Sequence, residues 1–248
     1  MDINCKHCNN LLEQEVKFCS QCGQSVVKTV TNTKIKNVNI IISFYIAMLV
    51  FMVIVYFIDL NFPFNLEADL IVETGFACIV LGFASLDFKP VLRLYNIKQL
   101  NLKLIGFAVL TPIITSFFVY FFIEYANYLF SDVEAANYYE SYQYLDYPLF
   151  WSILFIAILP PIIEELAFRG VLFNQLLKVT NQKLTIIATA FLFALIHFSI
   201  FSFLWIFPFG LLLGYLRYKY NTLWLGIIIH FLHNFIILML DYYSFYSF

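Results

Sequence analysis

The sequence predicts an all-α fold: a polytopic transmembrane bundle of about seven helices, with a small four-cysteine module at the amino terminus. Three observations predict it. Of the 248 residues 62% are apolar, 20% aromatic and only 12% charged, about half the charged share of a soluble chain. The mean hydropathy is +0.83. From residue 38 onward, long apolar stretches alternate with short polar breaks, while the 37 residues before them are polar and hold four of the five cysteines. This composition excludes a disordered chain, a collagen and a secreted disulfide scaffold. The net charge of −2 argues for no particular partner.

The amino-terminal module spans residues 1–24. Cys5-Lys-His-Cys8 and Cys19-Ser-Gln-Cys22 are two CxxC pairs ten residues apart. Each pair puts two thiolates on one tight turn, and two such turns facing each other make a tetrahedral four-sulfur zinc site. Gly23, just past the second pair, suits a turn that needs a positive φ. Four thiolates leave no open position, so the zinc is structural, and so small a core is expected to fold only with metal. The module resembles the short zinc ribbons at the amino termini of many bacterial membrane proteins. His7 is a spare side chain, and Cys78, alone in the second helix, reads as a small core residue. Residues 25–37 read as a linker. No secretory signal is apparent, because the first apolar run starts at Val38 and no small-residue cleavage site follows.

Residues 38–248 form the multi-pass membrane domain. The apolar pattern predicts helices at about 38–58, 68–86, 102–123, 149–170, 184–203, 205–218 and 222–240, most of them near the roughly 20 residues that span a bilayer. Charge tests the parse. The amino-terminal segment carries five lysines; the 59–67 break has no Lys or Arg. Lys89, Arg93, Lys98 and Lys103 follow in the next break. The 124–148 break has none, but holds Glu124, Asp132, Glu134, Glu140, Asp146 and seven tyrosines. Arg169, Lys178 and Lys183 lie at or beyond the end of the fourth helix, and Arg217 and Lys219 at the end of the sixth. All 14 basic residues thus fall on alternate breaks. The positive-inside rule makes that side the cytoplasm and places the amino terminus there, which also disfavours disulfides among the four cysteines. The tyrosines read as an interfacial aromatic belt.

Charges at membrane depth cost roughly 2.5–3.5 kcal/mol each on insertion scales and need a reason. The fourth helix holds Pro160-Pro161-Ile-Ile-Glu164-Glu165-Leu-Ala-Phe168-Arg169. Glu165 and Arg169 are four apart, acid first, and read as a structural ion pair. Glu164, about 100° round the helix, has no local partner. His197 follows Phe193 by four in the fifth helix; His230 and Asn234 are four apart on one face of the seventh, with His233 beside them. Glu73 reads as interfacial. An acid, two imidazoles and an amide in one bundle look like a site. At 1.5 Å per residue, Glu164, His197 and His230 lie about 12–20 Å from the basic ends of their helices, so the expected cavity opens to the cytoplasm. The two prolines are expected to kink the helix and admit water.

Gly-x-Ser-x-Gly and His-Glu-x-x-His motifs are absent from the chain, and no cysteine or aspartate lies beside these residues. That leaves a water nucleophile activated by Glu164, with His197 orienting it and with His230 and Asn234 donating to the oxyanion.

Glu164-Glu165-x-x-x-Arg169, Phe193-x-x-x-His197 and His230-x-x-x-Asn234 together resemble the three motifs of the CPBP family, which takes in CAAX prenyl endopeptidases of the Ras-converting type and bacterial Abi proteins of bacteriocin processing and self-immunity. The resemblance covers residues 149–248. It implies an intramembrane endopeptidase of glutamate type: Glu164 and His197 activate water, His230 and Asn234 form the oxyanion hole, and Glu165 and Arg169 brace the helix. It leaves open a metal held by Glu164, His197 and His230. The partners it implies are a peptide or membrane-protein substrate and the lipid bilayer. The ribbon suggests a cytoplasmic protein partner; nucleic acid is not expected, for want of a basic patch. Two other functions compete: a non-proteolytic membrane protein giving bacteriocin immunity by binding, and a small transporter.

Overall fold

A computed structural model describes residues 3–5, 7–12, 16–25, 27–98, 100–130 and 137–246. Asp132 and Glu134 of the acidic break lie outside them. Among the described residues seven principal helices follow one another: α1 (Val27–Asn61), α2 (Leu66–Ser85), α3 (Leu102–Phe130), α4 (Pro148–Leu177), α5 (Gln182–Leu195), α6 (Ile200–Tyr220) and α7 (Trp224–Tyr246). All but α5 are long and apolar enough to cross a membrane. The protein is an all-α, multi-pass membrane bundle.

The bundle is apolar outside as well as inside. Along α1, Ile42, Ile46, Val50 and Val53 are each about half exposed while Phe44 and Met48 are fully buried. One stripe faces lipid and the other the core, as expected where the surrounding medium is hydrocarbon. The helices begin where short polar side chains cap them: the side-chain oxygens of Asn65, Asn181 and Ser199 accept from the backbone N–H of Ala68, Leu184 and Ser202, starting α2, α5 and α6. Each satisfies a donor that would otherwise be orphaned. α1 begins at Val27 and takes up most of the 25–37 stretch.

Two helices depart from the sequence parse in ways that matter for the site. α5 ends at Leu195, not near 203, and at 14 residues covers about 21 Å. Residues 196–199 form a tight reversal: Phe198 takes a left-handed φ of 50° and Ser199 caps α6. His197 therefore sits on a turn, not within a helix. Nonhelical backbone at membrane depth is tolerated where it is buried or lines a cavity, and His197 does the second. α4, in turn, is not a plain α-helix. It widens to π spacing over Ile153–Ile158 and Glu165–Leu172, with the two prolines between. Such bulges commonly mark functional positions.

α5 and α6 pack as an antiparallel hairpin, and α7 lies along α3 and the first π turn of α4. The main core cluster takes in Phe168, Leu172 and Phe193 beside Leu223 and Ile227. At the basic end of the bundle, Lys178 Nζ meets Asp87 Oδ2 at 2.6 Å, clipping α4 to the segment after α2. Buried Arg217 donates from Nε to the Arg169 carbonyl and from Nη2 to Asn174, tying α6 to α4.

The amino-terminal module contains a short hairpin, β1 (Ile3–Asn4) against antiparallel β2 (Leu11–Leu12). Its two cysteine turns repeat each other. Cys5 N–H donates to Asn10 O and Asn9 N–H to Cys5 O; Cys19 N–H donates to Gln24 O and Gly23 N–H to Cys19 O. Gly23 has φ 70°, and its counterpart Asn9 has φ 59°, a residue type that enters the left-handed region at low cost.

Candidate active site and metal cluster

The four cysteines converge. Cys5 and Cys22 Sγ lie 3.5 Å apart, Cys8 and Cys19 Sγ 3.6 Å, and all four within 4.8 Å of one another. A tetrahedral ion at the zinc–thiolate distance of about 2.3 Å needs sulfurs about 3.8 Å apart, so this donor set fits a metal. Backbone N–H groups of Cys8 and His7 point at Cys5 and lower its pKa to about 6; those of Cys22 and Gln21 lower that of Cys19. In each turn the backbone thus favours one thiolate, Cys5 or Cys19, while burial and the neighbouring thiols push the other, Cys8 or Cys22, upward in the absence of a cation between them.

In the membrane domain, Glu165 and Arg169 pair at 3.0 Å, both with no exposed surface. Arg169 also donates from Nη2 to the Gly210 carbonyl and stacks 4.3 Å above the Phe193 ring. This explains Phe193 twice over, since its carbonyl lies 2.9 Å from His197 Nδ1. A carbonyl only accepts, so Nδ1 carries the proton and Nε2 is left as the free acceptor. The second Glu165 oxygen lies buried without a hydrogen bond, against the backbone of α7 at Gly226. A Cβ on Gly226 would overlap that carboxylate. Gly226→Ala is expected to push Glu165 off Arg169 and to cost about 2–4 kcal/mol; an unchanged thermal unfolding midpoint in detergent would refute the contact.

His230 stands between the two acids. Its Nε2 is 3.9 Å from Glu164 Oε2 and its Nδ1 3.5 Å from Glu165 Oε1. Neither distance is a short hydrogen bond, so Glu164 is not engaged by its neighbour and its carboxylate remains available. Glu164, His197, His230, Asn234 and His233 line one cavity of about 290 Å³, whose wall also includes Pro160 and Ser202. The sequence groups Glu164, His197, His230 and Asn234, and the structure has all four around a single space. Asn234 is more engaged than expected: its Nδ2 donates to the Ile156 carbonyl at 3.0 Å. One of its two N–H groups remains.

The cavity does not run toward the basic end of the bundle. Beyond His230 on that side, Gly226 and Ile227 are closed off by Glu165 and the core. Its wall extends instead to Ile237 and Tyr138, at the end that carries the tyrosine-rich segment. Tyr138 N–H donates to Asp241 Oδ2, and Asn137 Nδ2 to the Asp241 carbonyl, fastening that segment over α7. The sequence places the opening at the basic ends of the helices, whereas the lining reaches toward the other end: packing of the ion pair against Gly226 fills the basic side, and sequence depth alone could not reveal it. One Glu73 carboxylate oxygen, Oε2, is buried without a hydrogen bond among the described residues.

Residues 146–236 match the Rce1-like family. Its description is type II CAAX prenyl endopeptidase Rce1-like. No curated protein and no solved structure matches the chain. The Rce1-like stretch begins just before α4, ends within α7, and contains Glu164, Glu165, Arg169, His197, His230 and Asn234. It supports a membrane-embedded protease of CAAX type acting on peptide substrates. Gly226, Gly210, Thr115 and Ser116 support this centre but escaped the sequence reading. Only the spacing of Gly226 ahead of His230 offered a signal.

Proposed function

We propose that the membrane domain, residues 38–248 with a protease core at 149–248, is a glutamate-type intramembrane endopeptidase. The observation that carries this is the single cavity shared by Glu164, His197, His230 and Asn234. A water held between the Glu164 carboxylate and His197 Nε2 attacks the scissile carbonyl. Its proton passes to Glu164, and from there to the leaving amine as the C–N bond breaks. The oxyanion is met by a ring N–H of His230 and the remaining N–H of Asn234, groups already oriented by the protein. Glu165 and Arg169 hold this stretch of α4 in place. The substrate is a peptide or a segment of a membrane protein, and bacteriocin processing or self-immunity is the setting the sequence resemblance offers. Residues 1–24 form a structural zinc ribbon on the cytoplasmic side, held by Cys5, Cys8, Cys19 and Cys22, and serve a protein partner there.

The test is cleavage by the purified protein in detergent. The substrate pool holds peptides with and without a prenylated cysteine near the carboxyl terminus, read by mass spectrometry. Internal fragments are expected from the wild type and none from the His197→Ala/His230→Ala double variant. No fragments from a folded wild type, or the same fragments from the double variant, would overturn the reading.

A further inference from the structure

One end of the catalytic cavity has no part in the scheme above. Its wall is Ile123 of α3, Ile156 of α4, Ile237 of α7 and Tyr138, three aliphatic side chains and one phenol. Ile156 precedes Glu164 on α4 and Ile237 follows Asn234 on α7, so both lie nearer the tyrosine-rich end than the catalytic groups do. All four keep accessible surface, and Tyr138 is 42% exposed.

Tyr138 belongs to the connection between α3 and α4, and an interfacial aromatic belt does not account for how that connection is fixed. Residues 137–147 form a strap anchored on three helices. On α7, Asp241 accepts from the Tyr138 N–H and its carbonyl from Asn137 Nδ2. Tyr139, 2% exposed, sets its ring edge-to-face against Tyr242 and Phe245, with centroids 4.9 and 5.5 Å away. On α4, the Tyr142 ring stacks on Phe155 at 5.8 Å. On α2, the Tyr144 hydroxyl donates to Asp69 Oδ2 at 2.6 Å. The neighbouring tyrosines thus anchor the strap, while Tyr138 lines the cavity. A side chain on so braced a backbone meets a ligand at little ordering cost. Burial raises the pKa of its phenol, and the Asp241 and Glu164 carboxylates add to this; the hydroxyl stays protonated and lies within reach of the charge on Glu164.

We propose that Tyr138 is a specificity-determining residue whose ring packs on a bulky aliphatic side chain of the bound peptide, one or two residues from the scissile bond. This rests on the endopeptidase reading. The register follows from lengths. Ile237 is one turn beyond Asn234, about 4.5 Å along α7, and an extended peptide advances about 3.3–3.6 Å per residue. A peptide whose scissile carbonyl meets Asn234 therefore brings its first or second neighbouring side chain to this end. Three aliphatic walls and a ring favour an apolar side chain there. An acidic one is rejected, since it would lose its water beside the Glu164 and Asp241 carboxylates that Tyr138 already feels.

The experiment takes one peptide that the wild type cleaves and remakes it with leucine, alanine or aspartate at each of the two positions on either side of the scissile bond. At one position the wild type is expected to prefer leucine over alanine by about 10- to 100-fold in kcat/KM, and to reject aspartate. In Tyr138→Ala that leucine preference should fall by about threefold or more, chiefly through KM, with the preferences at the other positions unchanged. Tyr138→Phe keeps the ring and should keep the preference. The N–H that meets Asp241 is backbone and survives both substitutions, so the strap is expected to stay in place; should Tyr138→Ala not fold, Tyr138→Leu is read in the same way. A leucine preference that is missing from the wild type, or equal in wild type and Tyr138→Ala, would sink the proposal while leaving the protease intact. An equal fall at every position would also overturn it, as a general loosening of the site. A folded wild type that cleaves no peptide would sink the endopeptidase reading and this inference with it.

Discussion

Glu164→Gln is expected to lower the cleavage rate by about 10³-fold without moving the unfolding midpoint, whereas Glu165→Gln should unfold the protein at markedly lower temperature. The two acids are adjacent, and their surroundings separate them. Among the described residues Glu164 reaches no partner closer than 3.9 Å, and it keeps 16% of its side chain accessible, so an amide there removes a proton acceptor and little else. Glu165 has no exposed surface and balances Arg169 at 3.0 Å. Removing its charge strands a buried guanidinium, at a cost of about 3–5 kcal/mol, or about 6–20 °C for a chain of this size. Removing both charges differs from removing one, since a buried ion pair replaced by apolar groups of similar volume is often neutral. Glu165→Gln/Arg169→Met should therefore recover most of the midpoint that Glu165→Gln alone loses. Parallel thermal unfolding and cleavage assays on the three variants check this. Equal midpoints for Glu164→Gln and Glu165→Gln would refute the division of roles.

The parts legible in the sequence are those that a spacing or a charge encodes. The cysteine pairs and Gly23 specify the repeated turn because a CxxC loop has few closures. The alternation of basic breaks anticipates the succession of helices even where α5 is too short to qualify as a span. Glu165 and Arg169 meet as their spacing requires. Other features lie beyond a periodicity argument. The reversal at 196–199 contains neither glycine nor proline; it rests on Phe198 in a left-handed conformation and on the Ser199 cap, which read as an uninterrupted apolar helix. The π turns of α4 change the residues per turn over six to eight positions, too few for a hydrophobic pattern to register. The direction of the cavity depends on which side of His230 is filled, and that follows from Gly226 letting α7 approach Glu165.

The paired prolines have a consequence that reaches α7. In the first π turn the Leu159 N–H bonds back five residues to the Leu154 carbonyl. At that spacing the next two donors would be residues 160 and 161, aimed at Phe155 and Ile156, and both are prolines without an N–H. At α spacing, too, the Ile156 carbonyl would need the N–H of residue 160. It is orphaned either way, at a depth where water is scarce and an unmet carbonyl is costly. Asn234 Nδ2 fills the gap at 3.0 Å, so α7 supplies a hydrogen bond that α4 cannot make for itself. This joins the acid-bearing helix to the helix carrying His230 and fixes the Asn234 amide so that its second N–H stays in the cavity. Asn234→Leu is expected to cost about 1–3 kcal/mol, apart from any loss of cleavage. In a Pro160→Ala background, residue 160 regains its N–H and can return the bond to Ile156, so the stability cost of Asn234→Leu should fall by about 1 kcal/mol or more. Thermal unfolding of the four proteins of this cycle gives the coupling directly. Identical costs in both backgrounds would show that Asn234 does not stand in for the missing proline donor.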